Sequence, residues 1–261
     1  MRSQVRVLYR PMLVMGESLF EMRNTRYEIR DTNSFPLTRI QRLIGERMLE
    51  SKLTKPCFYI ESKADVTELM TIRGNLSKTL GVKITSNAFL IRALALAAKQ
   101  YPVMTGSLNG EDIRVAEAIN VGFAVHSPQG LVVPVIKDAD EKTLAEIAEL
   151  EQSLTEKARD NKLTLEEMEG ETIALSNLGA YGTDSFLGIV PPPTSAVLAV
   201  GNVNREIVPI DGKPAVLGTP YGERKMVSLA LAVDRRIADE VYAAKFLNTI
   251  CEQLQNPQQL V

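Results

Sequence analysis

The sequence predicts a mixed α/β sandwich rather than a doubly wound parallel sheet. Helical and strand patterns alternate irregularly along the chain, and several strands meet through hairpin signals. Neither a G-x-G-x-x-G stretch nor a Walker loop nor an internal repeat occurs, so a nucleotide-phosphate reading has no support.

Residues 1–34 mix Arg, Glu, Met and aromatics without a clear period. They are too apolar for a flexible linker and are expected to form an N-terminal extension packed on the main body or a neighbour. The core domain, 35–261, opens at Phe35. Thr38 with Gln41 makes a capping-box pattern, and Ile40, Leu43, Ile44 and Met48 recur at helical spacing, which predicts a helix over 38–52. Residues 57–66 alternate like a strand. Asp65 and Glu68 are expected to cap the next helix, whose Val66, Leu69, Leu76 and Leu80 share a face. Residues 84–100 are apolar nearly all round, the mark of a buried helix.

Asn109-Gly110 between Leu108 and Ile113 is a hairpin signal. Residues 119–125 and 131–136 read as strands joined by a turn at Ser127-Pro128-Gln129-Gly130. Residues 143–161 form a long amphipathic helix carrying Leu144, Ile147, Leu150 and Leu154. Strands follow at 171–176 and 195–201, separated by a Gly- and Pro-rich loop. Asp211-Gly212 is expected to turn a second hairpin into a strand at 225–233, and 239–254 is the closing helix.

A net charge of -2 removes any global electrostatic case for nucleic acid or an anionic membrane. No apolar run reaches the roughly 18 residues of a membrane span. Cys57 and Cys251 lie far apart in apolar patterns and are expected to be buried free thiols, which favours a reducing, cytoplasmic setting. With one histidine and two isolated cysteines, a structural metal site is not expected.

Four segments in order, 36–69, 121–150, 174–201 and 227–247, resemble the catalytic domain of the dihydrolipoyl acyltransferases of 2-oxo acid dehydrogenase complexes. The resemblance covers the chain from about residue 35 to its end. It implies a fold like chloramphenicol acetyltransferase, a homotrimer with active sites between subunits, and a channel entered by coenzyme A and a dihydrolipoyl arm from opposite ends. In that family a histidine deprotonates a thiol, which attacks the acyl thioester, and a hydroxyl donates to the oxyanion.

The family's base lies in a D-H-R-x-x-D-G signature, and the matching stretch here runs Asp234, Arg235, Arg236, Ile237, Ala238, Asp239, Glu240. Asp234, Arg236 and Asp239 match; Arg235 stands at the histidine position and Glu240 at the glycine. A guanidinium stays protonated and offers no lone pair, so Arg235 cannot be the base. Two roles are open to it: lending positive charge to a thiolate or oxyanion, or pairing with Asp239 or Glu240. Ser176, in Leu175-Ser176-Asn177-Leu178-Gly179, matches the oxyanion-binding hydroxyl, although a serine ending a strand is equally a turn residue. His126 reads as a rim histidine or as a displaced base. Two further departures surround the same region: Asn87-Ala88 for the family's N-D, and Pro191-Pro192-Pro193-Thr194 for its N-P-P-Q.

Neither a lipoyl module nor a peripheral-subunit-binding module is legible in residues 1–34, so no lipoyl attachment site is expected in this chain. Lipoyl domains on other chains, dehydrogenase-complex subunits or acyl-CoA would then be its partners. The tail 256–261 resembles the family's docking tail, through which Leu260 and Val261 would join trimer to trimer; a frayed terminus is the other reading. Three functions remain: an assembly core with little or no catalysis, an active acyltransferase between coenzyme A and a lipoyl, small-molecule or carrier acceptor, and a coenzyme A-binding module without turnover.

Overall fold

The computed structural model describes residues 36–128, 130–208 and 223–261. Every element below lies in the unit Thr38–Val261. The extension expected at 1–34, the residue Phe35, Gln129 and the turn expected at Asp211-Gly212 fall outside the described residues.

Helix α1 (Arg39–Thr54) starts on the expected capping box: the Thr38 hydroxyl accepts from the Gln41 N–H at 3.1 Å, and Gln41 Oε1 accepts from the Thr38 N–H at 2.9 Å. Strand β1 (Cys57–Asp65) leads into α2 (Thr67–Leu80). The N-cap of α2 is Val66, with no side-chain cap; Asp65 accepts from the Thr67 N–H at 2.9 Å, and Glu68 instead receives a hydrogen bond from Gln258. Leu69 is buried as expected, whereas Leu80, in the last turn before Gly81, is exposed. Helix α3 (Ser86–Gln100) is capped by Thr85 and buried on most of its circumference.

The Asn109-Gly110 hairpin is present, joining β2 (Ser107–Asn109) to β3 (Asp112–Arg114), with Gly110 at φ 63°. The two strands expected at 119–125 and 131–136 are each broken in two. They become β4 (Val121–Phe123), β5 (Val125–Ser127), β6 (Gly130–Val132) and β7 (Val135–Ile136). Pro134 has no N–H to continue a ladder, and the Ala124 N–H turns to the Leu175 carbonyl at 2.9 Å, so β5 and β6 leave the main sheet as a separate arm. Helix α4 (Leu144–Arg159) starts on a second capping box, Thr143 with Glu146. Strand β8 (Ile173–Asn177) is followed by β9 (Ala196–Ile207) and β10 (Glu223–Asp234), both longer than their apolar runs, and the chain closes on α5 (Glu240–Gln255).

Six strands form one mixed sheet in the order β1-β10-β9-β8-β4-β7. The β8 strand is parallel to both β9 and β4, and the other neighbours are antiparallel. Side-chain alternation gives the sheet two faces. Leu229, Leu231 and Val233 of β10, Leu198 of β9 and Leu175 of β8 pack against α3, α4 and α5 in the main core. The opposite face carries Ala174, Val197, Ala232, Cys57 and Tyr59, covered by Val190 of the loop after β8.

That loop contains three consecutive prolines, which cannot donate. Its carbonyls accept from α1 instead: Ser51 Oγ reaches Val190 O at 2.5 Å, Arg47 reaches Pro192 O at 2.8 Å, and Lys55 reaches Thr194 O. Leu43, Leu49 and Leu53 of α1 stay exposed.

Leu260 is fully buried in this chain's own core, in a short turn Pro257–Leu260. The expectation that both Leu260 and Val261 are free to dock elsewhere is corrected accordingly: only Val261 is exposed. No helix among the described residues is long and apolar enough to cross a membrane.

One irregularity shapes the sheet. Val227 pairs with Val203 and Leu229 with Val200, so β9 carries one extra residue at a bulge around Gly201-Asn202. A Cβ on Gly201 would stand 1.9 Å from the Asp184 carbonyl oxygen. Gly201→Ala is therefore expected to cost roughly 1–3 kcal/mol or more of stability by forcing these backbones apart, read as a lower urea midpoint.

Candidate functional site

The 234–240 stretch is the turn between β10 and α5. Asp234 ends the strand with its carboxylate buried, and the Arg236 guanidinium grips it with Nε at 2.9 Å from Oδ1 and Nη2 at 2.6 Å from Oδ2. The Arg236 N–H also donates to Oδ1 at 3.1 Å, which closes the turn. Asp239 is the N-cap of α5, accepting from the Tyr242 N–H at 2.8 Å. Between these anchors Arg235 points outward, half exposed, and its Nε lies 2.9 Å from Glu240 Oε1. Of the two acids expected to pair with Arg235, Glu240 is the one that does.

The Arg235 N–H donates to Pro56 O at 3.1 Å, tying the turn to the start of β1, where Cys57 pairs with Asp234 across the sheet. Cys57 is half-buried rather than buried, and burial, reinforced by the Asp234 charge, pushes its thiol pKa up. Burial also lowers the pKa of nearby Lys55. Cys251 is buried on α5, and burial pushes its thiol up too, opposed by a hydrogen bond with Ser62.

Ser176 lies on β8 on the face away from the main helical core. Its row across the sheet runs through Ala199 and Ala230 to Glu61. Small neighbours leave room beside the hydroxyl, which makes no hydrogen bond among the described residues. Ala230 and Asp234 are four residues apart on β10, and β8 is two strands away. Rises of about 3.3 Å per residue and spacings of about 4.8 Å then put Ser176 about 16 Å from Asp234 in one chain, with the 235 position one residue further on. One copy therefore does not bring them together. His126 is exposed on β5, paired with Leu131. Because β4 leaves the sheet where Ala124 bonds Leu175, His126 follows two residues past the level of Ser176.

Asn87, on the first turn of α3, donates to Glu151 Oε1 at 3.4 Å, and the Thr85 hydroxyl donates to Oε2 at 2.7 Å. The Asn87 Oδ1 is buried without a partner. Burial raises the Glu151 pKa against these hydrogen bonds, and Ala88 adds no second carboxylate. No group of three or more His, Cys, Asp or Glu that could hold a metal occurs among the described residues.

A model described as "2-oxoacid dehydrogenases acyltransferase (catalytic domain)" matches residues 29–261. The chain belongs to that family. Among solved acyltransferase cores, a probable dihydrolipoamide acetyltransferase from Listeria monocytogenes superposes with a TM-score of 0.80 at 32% identity, covering 87% of this chain and 95% of that one. The dihydrolipoamide acetyltransferase of Azotobacter vinelandii gives 0.82 at 29%, covering 96% and 99%. In sequence, the mitochondrial pyruvate dehydrogenase protein X component of Mus musculus is 34% identical over 86% of this chain and 44% of its own length. The chain spans about half the length of the acyltransferase-family relatives it matches in sequence.

The clamp between α1 and the proline loop was not read from the sequence. Its signal was available: Arg47, Ser51 and Lys55 fall at a spacing of four on one helical stripe, and a run of three prolines has no N–H of its own to donate.

The two arginines predict opposite outcomes. Arg235→Ala breaks an exposed pair and is expected to change stability by less than about 1 kcal/mol. Arg236→Ala strips the partner from a buried carboxylate and is expected to cost about 3 kcal/mol; denaturant titration of both variants checks this. Glu151 binds its proton more tightly folded than unfolded. Its contribution is fully present below the unfolded pKa and is lost as pH rises through the raised folded pKa. Glu151→Gln should therefore flatten the fall of the urea midpoint with rising pH across that window.

Proposed function

We propose that this chain is an assembly-forming acyltransferase core in which thiol activation by a general base is missing, so that acyl transfer is absent or weak. The observation that carries it is Arg235, a permanent cation at the position of the family's base, turned onto Glu240 at 2.9 Å. Neither Asp234 nor Asp239 takes over: one is locked by Arg236 and the other caps α5.

Assembly is supported from two sides. The distance between Ser176 and the 235 position makes a site using both a property of two copies, in keeping with a trimer. Leu43, Leu49, Leu53, Tyr181 and Leu187 are exposed apolar side chains of the kind that subunit contacts cover. Family members named as parts of pyruvate and 2-oxoglutarate dehydrogenase complexes, one of them described as a cubic core, make such complexes the natural setting. Coenzyme A and lipoyl groups carried by other chains are the ligands to test.

A second reading, an active acyltransferase, is favoured by the unpartnered Ser176 hydroxyl and by exposed His126 near the same end of β8. In it, Ser176 donates to the oxyanion and His126 accepts the thiol proton.

Acetyl transfer from acetyl-CoA to dihydrolipoamide separates the two. Loss of a general base predicts turnover about 10²–10⁴-fold below that of a histidine-bearing family member. Arg235→His combined with Glu240→Gly should recover part of it. Turnover equal to the family's, abolished by Ser176→Ala or by His126→Ala, would defeat the assembly reading.

A further inference from the structure

A cavity of about 430 Å³ lies on the helical side of the sheet, between β8–β10 and the starts of α2 and α3. Its wall is hydrocarbon: Val66, Leu69, Leu90, Val200, Val227 and Leu254, all buried. Polar groups line it too, Ser86, Asn177, Asn202, Arg205 and Lys225, and no carboxylate among the described residues does. A largely apolar cavity of this size with a few fixed polar groups is the usual form of a small-molecule site.

The cavity has a cause in the backbone. The extra residue at Gly201-Asn202 reverses the alternation of β9, so Val203 joins Val200 on the helical face. Arg205 follows Val203 to the cavity. Ser176 and Asn177 point to opposite faces of β8, so the cavity and the Ser176 hydroxyl are on opposite sides of the sheet.

Lys225 gives the cavity its charge. Its backbone is pinned at both ends of the peptide: the Lys225 N–H donates to Thr67 Oγ1 at 2.8 Å, and its carbonyl accepts from the Val66 N–H at 2.7 Å. The neighbouring cations on these strands are matched by acids, Lys63 with Glu206, Arg205 with Glu223, and Arg224 with Asp65. The Lys225 ammonium has no acid partner among the described residues.

We propose that this cavity binds an amphipathic anion, a linear hydrocarbon chain ending in a carboxylate. The chain lies against Leu69, Leu90 and Leu254, and the carboxylate meets Lys225. The apolar wall selects the chain, and an ammonium with no acid partner among the described residues selects the sign of the head group. Nothing in this requires the chain to transfer acyl groups.

Titration calorimetry of the full chain with dodecanoate, kept below its micelle concentration, tests it. Saturable one-to-one binding is expected, weaker for uncharged dodecanol. Lys225→Ala should weaken dodecanoate by roughly tenfold or more, while Arg224→Ala, on the other face of β10, should leave it unchanged. Met70→Trp, which fills the cavity, should abolish binding with the circular dichroism spectrum retained. If that variant does not fold, the lysine variant and the head-group comparison decide. No saturable binding, equal affinity for dodecanoate and dodecanol, or indifference to Lys225→Ala would overturn the proposal.

Discussion

A buried carboxylate at the end of β10 sets the geometry of the whole turn. Asp234 is almost fully enclosed, and an ion taken out of water that far persists only with its hydrogen-bonding capacity met. Arg236 meets it from two residues along the same chain, which forces the backbone to fold back on itself. The Asp234 N–H is taken by the Ser195 carbonyl at 2.9 Å, and the Arg235 N–H by the Pro56 carbonyl. Three separate segments, the end of the proline loop, the start of β1 and the start of α5, are thereby fixed relative to one another. The backbone of residue 235 is held between these anchors.

That rigidity gives the replacement of histidine by arginine its meaning. The scaffold around position 235 is intact, with Asp234, Arg236 and Asp239 all in structural roles. The altered pair is Arg235 and Glu240, opposite charges five residues apart that satisfy each other at the surface. The parts that hold the shape differ from position 235, so the turn would keep its mechanical value under the loss of proton-transfer chemistry that we propose.

The helices were the most legible part of the fold. Thr38 with Gln41 and Thr143 with Glu146 act within one turn, so local sequence suffices to place them. Strands lost accuracy where tertiary pairing overrides hydropathy. The polar second half of β9 and the polar first half of β10 pair because an antiparallel ladder continues past the apolar run, and β4 to β7 break where Pro134 interrupts the donors. At the candidate site, the pairing of Arg235 with Glu240 was one of two readable options. Half-burial of Cys57, the inward set of Leu260 and the bulge at Gly201-Asn202 were not readable. Each depends on segments far apart in sequence meeting in space, and one extra residue in a strand leaves no compositional trace.

The clasp of α1 on the proline loop also has a dynamic meaning. Val190, Pro192 and Thr194 present their carbonyls to the helix, and Ser51, Arg47 and Lys55 are the side chains that donate to them. Peeling the helix away would strand buried carbonyls without donors, and lifting the loop would strip the helix of its anchor. The two segments should therefore open as one cooperative unit, with amide protons on both exchanging at a common rate set by a single local unfolding event.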